Sequence, residues 1–411
     1  MPGGTFLQDT EGLIRWIKDH NRDVAAQAAR VSQARAQLDR SELWPNPSAT
    51  FGIGNINVGE LPTGISAADT QNYSVGLQQP IELGKRGPRM ESARLALDAE
   101  RKSYLAIVGE KVALAREALG RIVYIGARLS VLAESLAAAR QGVELERVRL
   151  DHGDISASDF ERLQLETTLL ELEVPPLRAE REAARETARA LLDAPVLDEP
   201  ADVSVLIGAA RVGIEPADLA GAVAQRPDAA SLALAAESSR QDALLARRHA
   251  IPDPVVGVTY VHDRFTSAGN LPDGVAVTVG LPLPIFDHGQ HDAVKADARA
   301  DELAQTRAGL LQQARADVAS LLQRRASLEG GYDLISRDAL PRSRQVLDAA
   351  RAAYERGQSS LTDLLLARRT HTDLVLKQID LAHEAFAVRN ELRRALGLDA
   401  QLADSAAGIT P

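Results

Sequence analysis

Hydrophobic and polar positions along this chain follow two periods, and the period changes at matching places in its two halves. Between residues 84 and 151, apolar side chains recur at spacings of three and four: Leu105, Val108, Val112, Ala115, Leu119, Ile122, Gly126, Leu129, Ala133 and Leu136. That spacing predicts one long helix with a coiled-coil seam, about 100 Å long at ~1.5 Å per residue. Ala118, Ile125, Leu132 and Ala139 form a second stripe every seven residues. Two stripes require neighbours on two sides, as in a wall of helices. The one proline, Pro88, stands near the start, where it is tolerated. Comparable helices are predicted over 289–354, with interruptions at Gly330-Gly331 and Pro341, over 158–192, broken at Pro175-Pro176, and over 360–396.

Elsewhere the period is two, which predicts strands. Ala49, Phe51 and Ile53 alternate with Ser48, Thr50 and Gly52, and Tyr73, Val75 and Leu77 with Ser74, Gly76 and Gln78. Val256, Val258 and Tyr260 alternate with Gly257 and Thr259, and Val275, Val277, Val279 and Leu281 with Ala276, Thr278 and Gly280. One side of each strand is apolar, the other small and polar. That suits a sheet lying on a soluble core, and equally a barrel with lipid outside and water within.

These elements come twice. Residues 23–47 resemble 228–254, both alanine-rich helical runs closing on Trp44-Pro45-Asn46-Pro47 and Ile251-Pro252-Asp253-Pro254. YSVGLQQPI at 73–81 matches VTVGLPLPI at 277–285. Gly153, Ser156 and Asp159 recur 204 positions on as Gly357, Ser360 and Asp363. The chain therefore divides into a first repeat, 1–195, with strands at 47–58 and 72–80 and a hairpin tip at 151–159. A proline-bounded connector, 196–216, carries a short strand at Val203–Ile207. The second repeat, 217–397, has strands at 254–262 and 274–282 and a tip at 355–363, and 398–411 is a C-terminal tail. The fold class is predominantly α with a small β part, a duplicated helix, β-hairpin and long helical hairpin.

Composition narrows the function. The 411 residues carry a net charge of −10 with no basic block, which argues against nucleic-acid binding. There is no cysteine, so disulfides, thiolate metal sites and a cysteine nucleophile are excluded. No uninterrupted apolar run approaches the ~20 residues of a membrane-spanning helix. The start, MPGGTFLQDTEGLIRWIKDH, has neither basic residues before an apolar core nor a cleavage site, so a signal peptide is absent from the sequence as given, which on its own reads as cytoplasmic. No nucleophile elbow, P-loop, zincin or dinucleotide motif is present, and no enzyme or cofactor is expected.

The four strands weigh against a cytoplasmic reading. The adjoining helices are too long and thin to cover an apolar sheet face, and within lipid a sheet must close. Membrane barrels need about eight strands or more, so four can close only by pooling with other copies. The Pro-x-Pro before a strand, the junctions GLQQPIELGKRGPR and GLPLPIFDHGQHDA, and the turns LDHGDISASDFE and YERGQSSLTDLL together resemble the outer-membrane efflux protein (TolC) family over nearly the whole chain. The resemblance implies a homotrimer whose twelve strands close a barrel in the outer membrane of a Gram-negative bacterium. It implies a helical tunnel across the periplasm, and a periplasmic adaptor and inner-membrane pump as partners. QQPIELGKRG further resembles the heavy-metal branch, which serves resistance–nodulation–division pumps. The alternative is a coiled-coil scaffold or a periplasmic adaptor. An adaptor should carry a lipoyl-like domain split by its hairpin, which is not found, and a scaffold has no use for paired amphipathic strand hairpins.

The tips are the candidate site. Read locally, Gly153 and Gly357 end helices in a left-handed conformation, and Ser156 and Ser360 start the next ones with Asp159 and Asp363 closing capping boxes. The resemblance adds that these turns meet the adaptor, that Asp363 falls on an acidic ring at the aperture, and that Tyr354 bonds Asp159 to hold the tip closed. Leu366 and Gln358-Ser359 depart from the family's second acid and basic residue, which thins that ring. His288, His291 and His152 read as exposed histidines rather than metal ligands, lacking a third ligand at sensible spacing. A thin aromatic girdle is expected from Trp44, Phe51, Tyr73, Tyr260 and Phe265.

Overall fold

The computed structural model of the chain describes residues 3–56, 59, 63, 64, 66, 70–194, 203–211, 219–264 and 271–405. In chain order the elements are α1 (Gly3–Gln8), α2 (Thr10–His20), α3 (Arg22–Ser41), β1 (Ser48–Gly54), β2 (Asn72–Pro80), α4 (Arg86–Asp151) and α5 (Ala157–Leu192). They continue with α6 (Ser204–Arg211), α7 (Leu219–Ala224), α8 (Pro227–Arg248), β3 (Val255–Asp263), β4 (Asp273–Gly280) and α9 (Gln290–Leu334). A π-helical turn, Ile335–Ala339, leads into α10 (Leu340–Glu355), α11 (Leu361–Leu396) and α12 (Leu398–Ser405). The run α3–β1–β2–α4–α5 recurs as α8–β3–β4–α9/α10–α11. The elements gather into two compact units, one of residues 30–101 and 231–307, the other of the described residues in 1–29, 102–230 and 308–411.

In the first unit the four strands form one antiparallel sheet in the order β1-β2-β3-β4. The central pair, β2 with β3, joins the two repeats. Register places Phe51, Val75, Tyr260 and Val275 in one row across the sheet, and Ala49, Leu77, Val258 and Val277 in the next. That face is open: Phe51 is 79%, Leu77 59% and Val277 71% exposed. The opposite face is small and polar, as in the row Thr50, Gly76, Thr259 and Ala276. A third outer row, Ile53, Tyr73, His262 and Asp273, mixes aromatic and polar groups, and Tyr260 Oη and His262 Nδ1 both bond the Asp273 carboxylate. Rows of that kind suit a water–lipid boundary. Of the girdle residues, Trp44 stacks under the Arg86 guanidinium, and Phe265 lies outside the described residues. Strand β4 stops at Gly280 although the alternation runs on to Leu281, because β3 begins opposite Gly280, at Val255.

The second unit is helical. Leu105, Val108, Val112, Ala115, Leu119 and Ile122 of α4 are buried with Ala184, Ala188 and Leu192 of α5 and Phe386 of α11. Towards the α4 C-terminus the buried stripe is the other one, Ile125, Leu132 and Ala139, while Ala133 is exposed. By length and composition α4 contains a stretch apolar enough to cross a membrane. Ile122, Ile125 and Leu132 of this helix are fully buried. A second cluster joins α9 and α11 through Leu311, Val318, Leu321, Leu381, Val388 and Leu392.

Three local expectations are corrected here. Helix α5 runs unbroken through Pro175-Pro176. Both prolines are exposed, as are Glu171 and Leu172, whose carbonyls lose their helical donors on this solvent-facing side. Gly330-Gly331 lies inside α9, and the interruption comes later, as the π turn just before Pro341. Val203–Ile207 is not a strand but the start of α6, whose Leu206 is fully buried in the core. A short apolar run has no period that separates strand from buried helix.

The tail is also structured as far as Ser405. Asp399 of α12, 2% exposed, accepts bonds from Arg116 of α4 (2.8 Å) and Arg393 of α11 (2.7 Å). Asn390 completes the cluster, accepting from Arg116 at 2.9 Å. Burial raises the Asp399 pKa, but the two guanidiniums outweigh it and hold the carboxyl below its usual range.

Candidate functional site

The two hairpin turns of the helical unit are built by the same bonds. Gly153 has φ +79° and Gly357 φ +71°, left-handed values that cost glycine nothing and other residues a Cβ clash. At the first turn Asp154 N–H donates to Arg149 O (2.8 Å) and Gly153 N–H to Leu150 O (2.9 Å). At the second, Gln358 N–H donates to Ala353 O (2.8 Å) and Gly357 N–H to Tyr354 O (2.9 Å). Each pair satisfies carbonyls that a helix end otherwise leaves without partners.

The restart differs between them. Ser360 Oγ accepts from Asp363 N–H (3.1 Å) while the Asp363 carboxylate accepts from Ser360 N–H (3.2 Å), a complete capping box. The Ser360 hydroxyl also donates to that carboxylate at 2.8 Å, and this bond first, then the one from Ser360 N–H, holds the Asp363 carboxyl below its usual range. Ser156 Oγ likewise accepts from Asp159 N–H at 3.1 Å and donates to the Asp159 carboxylate at 2.7 Å, but the bond from Ser156 N–H to that carboxylate is not made. The first box is therefore half made.

The structure does not bring Tyr354 and Asp159 together within the chain. Arg149 Nη1 donates to Tyr354 Oη at 2.6 Å, with the guanidinium 5.0 Å over the ring. The same guanidinium bonds Glu146, which is 3% exposed, at 3.3 Å. Burial, then Glu146, pushes the Tyr354 phenol up to about 12. This relay ties α4, in one hairpin, to α10, in the other. Arg162 Nη1 also reaches Thr362 Oγ1 across the hairpins at 3.4 Å. Half-buried Glu166 is raised by desolvation, with Arg368 and Arg369 opposing it.

Sequence reasoning missed Glu146 and Arg149. Their only signal is an acid and a base three apart in the last turns before a left-handed glycine. His288 and His291 lie at the start of α9, exposed, and among the described residues no group of three or more metal-ligating side chains forms.

Comparison with known proteins fits this geometry. The sequence profile of the outer membrane efflux protein family matches residues 13–193 and 219–398. No curated protein matches significantly. Among solved structures, CusC, described for its transmembrane channel formation, superposes with a TM-score of 0.80 at 20% identity, covering 95% of this chain and 92% of that one. VceC of Vibrio cholerae gives 0.74 at 18% identity, covering 94% and 96%. The open state of MtrE of Neisseria gonorrhoeae gives 0.76 at 20% identity, covering 94% and 88%. Long helical hairpins and a small four-stranded antiparallel sheet, duplicated along the chain, are the fold of outer-membrane efflux channels. The chain belongs to the outer membrane efflux protein family, a family of passive channels of the Gram-negative outer membrane and not of enzymes.

Proposed function

We propose that this chain is the outer-membrane duct of a tripartite efflux system, working as a homotrimer with a periplasmic adaptor and an inner-membrane pump. The observation that carries the reading is the sheet: four strands with an open apolar face, a small polar face and two unpaired edges. Such a sheet is stable in lipid only when closed, and three copies supply twelve strands. The duct is passive, its energy coming from the pump. Heavy-metal ions are the first cargo class to test, on the likeness of QQPIELGKRG to the metal-exporting branch, with drugs as the comparison.

The paired tips are the periplasmic aperture, with Asp159 and Asp363 lining it and the turns at Gly153, Ser156, Gly357 and Ser360 meeting the adaptor. Tyr354 holds it shut through Arg149 and Glu146 in place of Asp159. Conductance in planar bilayers tests this. Tyr354→Phe and Arg149→Met each remove a charge-assisted bond, about 1.5 kcal/mol or more, which is roughly a tenfold shift in the closed-to-open ratio. Both should raise mean conductance, and the double variant no further than the larger single one. Asp159→Ala should change ion selectivity and leave conductance alone. Unchanged conductance in both latch variants would sink the latch, and wild-type protein that forms no pore would sink the duct.

A further inference from the structure

One limb of the second hairpin is held by polar bonds where its neighbours are held by apolar packing. We propose that this limb, α10, is a lever: it swings off α11 about the π turn at Ile335–Ala339 to open the tip, while α11 stays in place. The proposal rests on the aperture and its Tyr354 latch, and adds which helix moves and where it pivots.

The pivot is a break in regular helical bonding. In the π turn Leu340 N–H donates to Ile335 O, five residues back, and Pro341 follows with no N–H to give. In a regular helix the proline ring would clash with the carbonyl four residues back. The wider turn makes room for it, and such turns are where helices bend. The duplication supplies the comparison. The counterpart of Pro341 in the first repeat is Ala137, and α4 runs through it without interruption.

Packing changes at the same place. Above the turn, α9 joins its cluster with α11 through Leu311, Val318, Leu321 and Leu328. Below it, Ser343 is the one buried residue among the sixteen of α10, and Val346 is 59% exposed. The first turns of α11, by contrast, bury Leu361, Leu364 and Ala367. Little apolar burial places α10 among the segments that open most readily.

Side-chain bonds fix the pivot and hold the lever. Gln378 Nε2 of α11 donates to Ser336 Oγ at 2.9 Å, within the π turn itself. Near the top of the lever Ser343 Oγ is hydrogen-bonded to His371 Nδ1 of α11 at 2.9 Å. At its foot Arg149 of α4 donates to Tyr354 Oη at 2.6 Å. A swing of α10 has to break the last two, and it carries no buried apolar side chain of α10 into water. Moving α11 would instead disturb apolar residues buried along its whole length.

The chain has no cysteine, so a thiol placed at Ser343 reports whether α10 has left α11. Maleimide labelling of Ser343→Cys in the assembled trimer should run roughly tenfold faster when Tyr354→Phe is added, following the shift in the closed-to-open ratio. Ala382→Cys, 2% exposed on α11 above the pivot, should label at an unchanged rate. Pro341→Ala restores an N–H and removes the ring. In the Tyr354→Phe protein it should slow Ser343→Cys labelling several-fold and lower conductance. If Tyr354→Phe raises conductance while Ser343→Cys labels no faster, the aperture opens without the lever and the proposal is overturned. Equal acceleration at Ala382→Cys overturns it too, since the helices then loosen together, and so does Pro341→Ala that alters neither rate nor conductance. Unchanged conductance in Tyr354→Phe and Arg149→Met alike sinks the latch reading, and the lever falls with it.

Discussion

His383 on α11 shows how far a single side chain departs from its sequence context. Its ring stacks on Tyr124, 4.2 Å between centroids, while Asp380 accepts from both Tyr124 Oη (3.0 Å) and Arg128 (2.7 Å). Burial, then Arg121, pushes His383 down to about 4, against Asp380 and Glu180, which favour the proton. The unfolded chain takes up that proton near pH 6.5 and the folded one only near 4. Stability therefore rises with pH across that window and is lost on acidification, by roughly 2 kcal/mol for a partly exposed group. The melting temperature of His383→Gln should fall less between pH 7 and pH 4 than that of the wild type. Equal slopes would place the acid sensitivity elsewhere. At this scale Gly153, Ser156, Gly357 and Ser360 were legible because a turn and a cap are decided within six residues. Tyr354 was legible as a residue, but its partner was not, since Arg149 stands 205 positions away.

Among the elements, the hairpins restart with unequal caps. Ser360→Ala removes a complete box and should cost about 1–2 kcal/mol locally, and Ser156→Ala, with half a box, less. Hydrogen exchange of the Asp363 and Asp159 amides reads this, and equal acceleration at the two turns would mean the second half of the box adds nothing. Helix periods were readable wherever one face is buried over many residues, and strand periods wherever apolar and small polar residues alternate. What misled was local chemistry judged without its surroundings. Pro175-Pro176 does not break α5, where both prolines and the residues four before them are exposed, and the run beginning at Val203 is helical because Leu206 finds a helical core.

For the whole molecule, the proposed duct sets the sheet's apolar face against lipid and its small polar face against water, and substitution tells them apart. Val275→Arg puts a charge on the apolar side and should cost about 2–4 kcal/mol at mid-membrane, seen as loss of the unheated trimer from the outer-membrane fraction. Ala276→Arg, one residue on, should leave assembly intact and lower conductance. Equal effects would mean that the sheet does not separate lipid from water. The sequence by itself determined the duplicated order of elements, the strand faces and both turns, because periodicity and turn chemistry act over neighbouring residues. The tertiary structure alone decided that β2 and β3 join the repeats, that Arg116 and Arg393 share Asp399, and that Tyr354 answers to Arg149. Those pairings depend on which distant groups meet once the helices pack, and no local pattern records them.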